Sequence, residues 1–316
     1  MTQSGLPPRV VVIAGPTASG KSGLALKIAK ALNGVIINAD SQQLYSSFKV
    51  LTSRPTSKDE GEVEHRLYGF LGPNETSSLK TWADNASKEI MRTLDLGSLP
   101  IIVGGTGLYI KGLMDGFAAI PTVPDQVRFQ AKDIINNKGL PYLYSLLVRK
   151  DPVSRERLQP NDVQRVSRAW EVVEFTGFPM HYWHSRPNVK LLDGFRFYSL
   201  SMSPVRAELY KACDQRFHRM MASGALNEVE KLLVDGTSID APVMRALGAK
   251  ELAQFIGGEI DLETATKAAQ QRTRQYAKRQ TTWFKNQFNA SKVINKKLSE
   301  SFYDKIIRKI DQFRLT

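Results

Sequence analysis

Cysteine is almost absent from this chain of 316 residues, which has only Cys213, and histidine is nearly as scarce, with four. A single thiol excludes an intrachain disulfide framework, and the lack of any CxxC pair excludes a sulfur-rich zinc site. The histidines, including the two in HYWH at 181–184, stand at no convincing ligand spacing, so no metal is assigned to them. Long hydrophobic runs are missing too. The N-terminal VVVIAG is too short for a signal-peptide core or a membrane span, and nothing later reaches membrane length. Acids are the scarce charge: 31 Asp and Glu face 44 Lys and Arg, for a formal charge of +13. That excess favours a polyanionic partner such as nucleic acid, although a basic surface is also compatible with mere solubility. Together these absences lead us to expect a cytoplasmic protein with no membrane attachment.

What is present supports a real core, since 42% of the residues are hydrophobic. RVVVIA (9–14) is a β-branched run that predicts a buried strand, and GPTASGKS after it is a glycine-rich turn. SGLALKIAKAL then puts Leu24, Ile28 and Leu32 on one helical face, until Asn33-Gly34 stops it. VIINA predicts a second strand with Asp40 at its carboxyl end, and LPIIV (99–103) a third that runs into GGTGLYI. Strand, helix, strand in this order predicts a parallel sheet with right-handed crossovers. From about Pro121 the pattern is helical as far as RPNVKLLDG, with Pro141, Pro152 and Pro160 as breaks. The strand pattern returns at FRFYSLSM (195–202), and long helices follow. We therefore expect an α/β fold: a P-loop NTPase-like parallel sheet with helices on both faces, interrupted by a helical insertion of about eighty residues. The expected divisions are 1–118 for the first part of the core, 119–198 for the insertion and 199–316 for the second part with its basic C-terminal helices.

The strongest motif is Gly15-Pro16-Thr17-Ala18-Ser19-Gly20-Lys21-Ser22, which matches the P-loop pattern at every defined position, strand before and helix after. Amides from Ala18 to Ser22 would face a phosphate or diphosphate, Lys21 supplies a point charge, and Ser22 is placed to ligate Mg²⁺. The expected diphosphate-binding set is Gly15, Thr17, Ala18, Ser19, Gly20, Lys21 and Ser22, with Mg²⁺ as cofactor. A conventional NTPase or kinase of this class also needs an acid at the end of another core strand to hold the metal. Here the third strand ends in Gly104-Gly105-Thr106-Gly107. Attention therefore returns to Asp40. An acid near bound phosphates is repelled unless it binds metal or takes a proton from an attacking group. Asp is also a favoured N-cap, here for SQQLY, and both readings stay open.

Other stretches carry weaker signals. Thr106 is equally a turn residue among glycines. NDVQRVSRAWEV (161–172) predicts an N-capped helix in which Gln164, Arg165 and Arg168 lie together, as a solvated basic face or a phosphate contact. The run 264–299 contains nine Lys or Arg and no acid, with Tyr276, Trp283, Phe284 and Phe288 interleaved. On a helix those aromatics form a stripe suited to a core, which leaves the basic side, including Arg272 and Arg279, to meet a phosphate backbone.

In order and spacing, GPTASGKS, NADSQQLY, GGTGLYIKGL, RLQPNDVQRVSRAWEV, RFHRM, RALGAKE and QRTRQYAKRQTTWF resemble the motifs of the bacterial-type tRNA dimethylallyltransferases, or tRNA isopentenyltransferases. The resemblance implies transfer of a dimethylallyl group from dimethylallyl diphosphate to the exocyclic amine of the adenine on the 3′ side of the tRNA anticodon. It also implies that Asp40 resembles the family's general base, that Arg216 of QRFHRM assists the departing diphosphate, and that Thr106 lies near the reacting centre. The implied partner is the tRNA anticodon stem-loop, met by Asp40, Ser41, Gln42 and Gln43, by Gln164, Arg165, Val166, Ser167 and Arg168, and by Arg245 and Lys250 of RALGAK. We expect a monomer. The chain departs from the family pattern at YSSFKVLTSRP and EHRLYGF, so no contact is carried over for residues 46–70. Two other classes share parts of this pattern: a P-loop nucleotide or nucleoside kinase that binds ATP, and a non-catalytic RNA-binding module.

Overall fold

The computed structural model describes residues 7–295 and 299–315. The chain forms two compact units, one from residues up to Met114 together with those from Leu191 onward, the other Asp115–Lys190. These divisions differ from the 119 and 198 read from the sequence. Phe117 N–H donates to Val189 O (3.1 Å) and Val189 N–H to Phe117 O (2.9 Å), so the inserted unit closes on itself at residues 117 and 189.

The first unit opens with β1 (Arg9–Ala14), α1 (Lys21–Leu32), β2 (Gly34–Asn38), α2 (Ser57–Glu62), β3 (His65–Arg66), α3 (Leu79–Asp95), β4 (Leu99–Gly104) and α4 (Gly107–Asp115). The inserted unit holds α5 (Asp125–Lys138), α6 (Leu140–Lys150), α7 (Ser154–Arg157), α8 (Val163–Thr176) and α9 (Met180–His184). The chain then adds β5 (Arg196–Met202), α10 (Arg206–Ala222), α11 (Ala225–Val234), α12 (Ala249–Ile256), α13 (Leu262–Gln287), β6 (Lys292–Ile294) and α14 (Glu300–Leu315). Residues 296–298 of the basic run lie outside the described residues.

All six strands are parallel, in the order β3-β2-β4-β1-β5-β6. Val10 to Ile13 of β1 are fully buried, and each such aliphatic contributes about 1.5–3 kcal/mol relative to exposure. A strand buried on both faces reads as a continuous apolar run, which is why β1, β2 and β4 are visible in the sequence. On one face Val11, Ile13, Ile36, Ile101 and Leu200 pack with Leu24, Ala25 and Ile28 of α1 and Ile306 and Ile310 of α14. On α3, Trp82, Ala83, Ala86 and Ile90 recur at helical spacing and are buried, and the Trp82 indole N–H donates to Asn38 O (2.9 Å). The left-handed residue that ends α1 is Asn33 (φ 51°). At Gly34 a Cβ would press on the tip of the Ile101 side chain and lie 3.0 Å from the Ala29 Cα of α1.

A second apolar cluster joins Phe48 and Leu51 to residues of α10, α11, α12 and α13, among them Phe217, Val229, Leu252 and Ala269. The inserted unit has its own core of Ala131, Leu143, Leu147, Val166, Ala169, Trp170 and Val173. Pro141 follows the break between α5 and α6, which falls at Gly139. It sits in the first turn of α6, where a missing N–H costs nothing. β3 and β6 are edge strands of two and three residues, too short to display any period. Among the described residues no helix is long and apolar enough to cross a membrane.

Candidate active site

Parallel strands all end on one edge of the sheet, so the loops after β1, β2 and β4 gather there. The loop after β1 is the P-loop. Gly15 (φ 147°) admits no side chain because a Cβ would collide with Met202 of β5. Gly20 caps α1 in a left-handed conformation (φ 89°) with no side-chain cap, so the first-turn amides of α1 are left for an anion. Lys21 is 8% exposed and donates from Nζ to Pro16 O (2.7 Å). Burial pulls its pKa down to about 8, against the opposing pull of Asp40 and with help from Arg216. An ammonium so poorly solvated gains more than usual from an arriving anion. Thr17 is held in place by two side chains. Its N–H donates to Gln280 Oε1 (2.8 Å) and its hydroxyl accepts from Arg216 Nη1 (3.0 Å), so it is a fixed post of the cradle.

Asp40 follows β2 and caps a single 3-10 turn, Ser41–Leu44. Oδ1 accepts from Gln42 N–H (3.1 Å), and the Asp40 N–H is held by Asn38 Oδ1 (2.9 Å). The cap occupies one oxygen only. Oδ2 points across Gly105, where a Cβ would lie 3.3 Å from it. Thr106 buttresses this turn: Oγ1 accepts from Ser41 N–H (2.9 Å) and lies 3.2 Å from Ser41 Oγ, while Thr106 N–H donates to Ala39 O (3.1 Å). Gly104 allows that approach, since a Cβ there would overlap the Ala39 carbonyl. Asp40 also acts on its neighbours, adding to the upward push of burial on the Tyr68 and Tyr276 phenols.

Arg216, from α10, bridges two loops. It donates to Thr17 Oγ1, to Ser53 Oγ (2.9 Å) and to Thr52 O (3.0 Å). Burial pulls the guanidinium below its ordinary value and Asp40 acts the other way. Thr52 and Ser53 belong to the stretch that departs from the family pattern, so this stretch supplies part of the site after all. Two side chains fix it. The Glu228 carboxylate accepts from the amides of Lys49 (2.8 Å), Val50 (2.8 Å) and Leu51 (2.9 Å), and Gln43 Nε2 donates to Thr52 O (2.9 Å) and Ser53 O (3.0 Å). Neither Glu228 nor Gln280 was visible as a site residue in the sequence. For Gln280 there was a signal: an amide four residues after Tyr276 and four before Phe284, inside the stripe that α13 buries.

Between Thr17, Asp40 and Arg216 opens a pocket walled by Leu51, Phe217, Met220, Leu247 and Cys213. Burial pushes the Cys213 thiol up to about 11, so it stays neutral and serves as apolar wall. The site thus offers cations and amides for a diphosphate, a greasy wall, and a carboxylate with one uncommitted oxygen. For Mg²⁺ the donor set fits a shared site: Ser22 is exposed in the first turn of α1, and the Ser19 hydroxyl of the same loop is buried and without a hydrogen-bond partner among the described residues. Mg²⁺ favours a few protein oxygens completed by waters and phosphate oxygens.

The residues expected to meet RNA are placed unevenly. Gln42 Oε1 accepts from Leu247 N–H (3.4 Å) and Gln43 holds the 52–53 loop, so both side chains tie the site together. Arg245 and Arg279 are exposed, the latter over the Tyr276 ring. Lys250 pairs with Asp240 (3.2 Å) and Arg272 with Glu251 (2.9 Å). In the inserted unit Gln164 and Arg165 are exposed, Arg165 and Arg168 lie 3.5 and 3.6 Å from Asp162 and Glu171, and Ser167 is half-buried. Val166 is a correction: at 0% exposure it belongs to the unit's core, because position 166 falls on the face of α8 that packs on Leu143 and Leu147.

A family model described as IPP transferase matches residues 43–287, and another described as isopentenyl transferase matches residues 8–74. The chain belongs to the IPP transferase family. Thr17 and Asp40 lie in the second match, Arg216 and Gln280 in the first, so the two take in both sides of the pocket. The tRNA dimethylallyltransferase of Rhodospirillum centenum is 47% identical over 283 residues, 90% of each chain. That of Paramagnetospirillum magneticum is 44% identical over 316 residues, 100% of this chain and 99% of its own. Among solved structures, the tRNA isopentenylpyrophosphate transferase of Bacillus halodurans superposes with a TM-score of 0.68 at 29% identity, covering 96% of both chains. A eukaryotic dimethylallyltransferase captured acting on tRNA gives a TM-score of 0.75 at 26% identity, over 88% of this chain and 70% of that one.

Proposed function

We propose that the protein transfers the dimethylallyl group of dimethylallyl diphosphate to the exocyclic amine of the adenine 3′-adjacent to the tRNA anticodon, releasing diphosphate. The observation that carries this reading is that Asp40, with one carboxylate oxygen outside its cap, lines the same small pocket as Arg216 and Thr17 of the P-loop. The amine attacks the terminal carbon of the donor, a C–N bond forms, and the C–O bond to the diphosphate breaks with its electron pair leaving on oxygen. Asp40 Oδ2 takes the amine proton. Lys21, Arg216 and the first-turn amides of α1 meet the charge that builds on the leaving oxygens, and Leu51, Phe217 and Met220 shield the prenyl chain from water. Bound Mg²⁺, shared between Ser22 and the diphosphate, would supply further charge neutralisation. The target base is stacked in an anticodon loop and has to be extruded to reach Asp40, and Arg245 and Arg279 offer cations to its backbone. A P-loop kinase would need a metal-holding acid at the end of β4, where this chain has Gly104, Gly105 and Thr106.

The test is incubation of the purified protein and Mg²⁺ with labelled dimethylallyl diphosphate and an unmodified anticodon stem-loop, beside an ATP-consumption control. Label arriving on the adenine without ATP use supports the transfer. ATP consumption with no label on RNA would replace it with the kinase reading.

A further inference from the structure

Gln280 occupies the middle of α13 and is 6% exposed, in a stripe whose other members include Ala269, Ala277 and Phe284. Its carboxamide is used at both ends. Oε1 accepts the Thr17 N–H of the P-loop (2.8 Å), and Nε2 donates to Gly105 O in the loop after β4 (2.8 Å). β1 and β4 pair in register as far as Ala14 opposite Gly104, and there the ladder stops. Thr17 and Gly105 lie beyond it, and Gln280 joins them. The loop after β1 holds the diphosphate cradle. The loop after β4 props the Asp40 turn through Thr106 and Ser41. Gly105 must lack a side chain for this, since a Cβ would collide with Gln280 Nε2 and crowd Asp40 Oδ2. The carboxamide and the free carboxylate oxygen therefore lie against the same backbone unit.

We propose that Gln280 is a positioning residue for the transfer: it sets the separation between the cradle and Asp40, so that donor carbon, amine and base stay in line. The inference rests on the transfer reading above. A displacement at carbon needs its leaving group on one side of the reacting atom and its nucleophile on the other. The groups that serve those two sides here come from two separate loops. Small misplacements of such groups cost about 100-fold in rate. Thr17 is braced from the opposite side by Arg216, so the post that carries the cradle is held by one cation and one amide.

The test uses the full chain with Gln280→Met, similar in shape and unable to make either hydrogen bond, and with Gln280→Glu, which keeps the acceptor for Thr17 and loses the donor to Gly105. The readouts are the single-turnover rate of label transfer at saturating substrates, stem-loop affinity, and the same substitutions in an Asp40→Asn background. The expected result is a rate lowered about 10- to 100-fold with stem-loop affinity unchanged. In the Asp40→Asn background Gln280→Met should remove far less, because a base that is absent cannot be misplaced. Equal losses in both backgrounds, or an unchanged rate, would overturn the proposal and leave Gln280 as an anchor of α13. If Gln280→Met does not fold, Gln280→Glu carries the same comparison. No label transfer by the unsubstituted protein would instead overturn the functional reading beneath it.

Discussion

Asp40 divides its two oxygens between two tasks, and that division can be measured. Oδ1 serves the Gln42 amide, as a cap should, and Oδ2, outside the cap, belongs to a residue that lines the pocket. Asp40→Asn keeps a carbonyl oxygen for the cap and removes the base. We expect it to retain stem-loop binding and thermal stability while the chemical rate falls about 10²- to 10⁴-fold. Asp40→Ala should lose the cap as well, with a further stability deficit of about 0.5–2 kcal/mol relative to Asp40→Asn. A chemical rate near normal in Asp40→Asn would leave the acid as a cap alone. Lys21 makes a second prediction at this scale. Its pKa in the free protein is lowered from 10.5 to about 8, and a bound diphosphate favours the ammonium and raises it again. Between those values binding takes up a proton, so diphosphate affinity falls as pH rises through 8. Calorimetry at pH 9 in buffers of different ionisation enthalpy should show proton uptake that Lys21→Met abolishes; proton release would contradict the assignment. The P-loop and Asp40 were legible because local spacing alone defines them. Gln280 and Glu228 act on residues that only the fold brings near, so nothing adjacent to them in the chain announces a role.

At the scale of elements, the buried strands and α1 were readable because their burial imposes a period or an unbroken apolar run. The segment from Lys49 to Ser53 was not, since it has no regular structure and takes its shape from partners elsewhere. Glu228, near the start of α11, receives three consecutive amides from it, and Arg216 then leans on Thr52 O and Ser53 Oγ. Ser53 is held at φ 49°, a left-handed conformation that a loose loop would not keep at a serine. Glu228→Ala leaves those amides to find water, and we expect a loss of about 1–3 kcal/mol in urea unfolding, with the midpoint lowered and the slope unchanged. Because Arg216 loses its footing on Thr52 O and Ser53 Oγ, turnover should fall in folded Glu228→Ala, and added diphosphate should protect the variant less than the parent. Full turnover in the folded variant would show that Arg216 needs no such support. A change at Gly104 destabilises by adding a clash rather than by removing a support. Gly104→Ala would drive a methyl into the Ala39 carbonyl and should destabilise the sheet edge itself.

At the scale of the whole molecule, the excess of 44 basic over 31 acidic residues is a property of the surface, and the structure shows which cations are spare. Arg272 and Lys250 are paired with Glu251 and Asp240, whereas Arg279 is exposed on α13 over the Tyr276 ring and makes no ion pair among the described residues. Composition made the basic run legible and could not make this distinction, because Arg272 finds its partner across from α13 on α12, and Lys250 finds its own in the turn ahead of α12. It matters for RNA. A cation that meets a phosphate releases a condensed counterion, and each such contact steepens the fall of log affinity with log salt by about 0.7–0.9. A cation already neutralised by a carboxylate releases little. Titrating an anticodon stem-loop at a series of salt concentrations should therefore give a steep negative slope for the parent protein. Arg279→Ala should flatten that slope by nearly one contact, and Arg272→Ala and Lys250→Ala should each flatten it by much less. Arg272→Ala should instead lower stability, because it strands the Glu251 carboxylate, which is 8% exposed. If the paired residues changed the slope as much as Arg279, the carboxylates would have to release their partners when RNA arrives, and the ion pairs would be part of the binding equilibrium rather than of the fold.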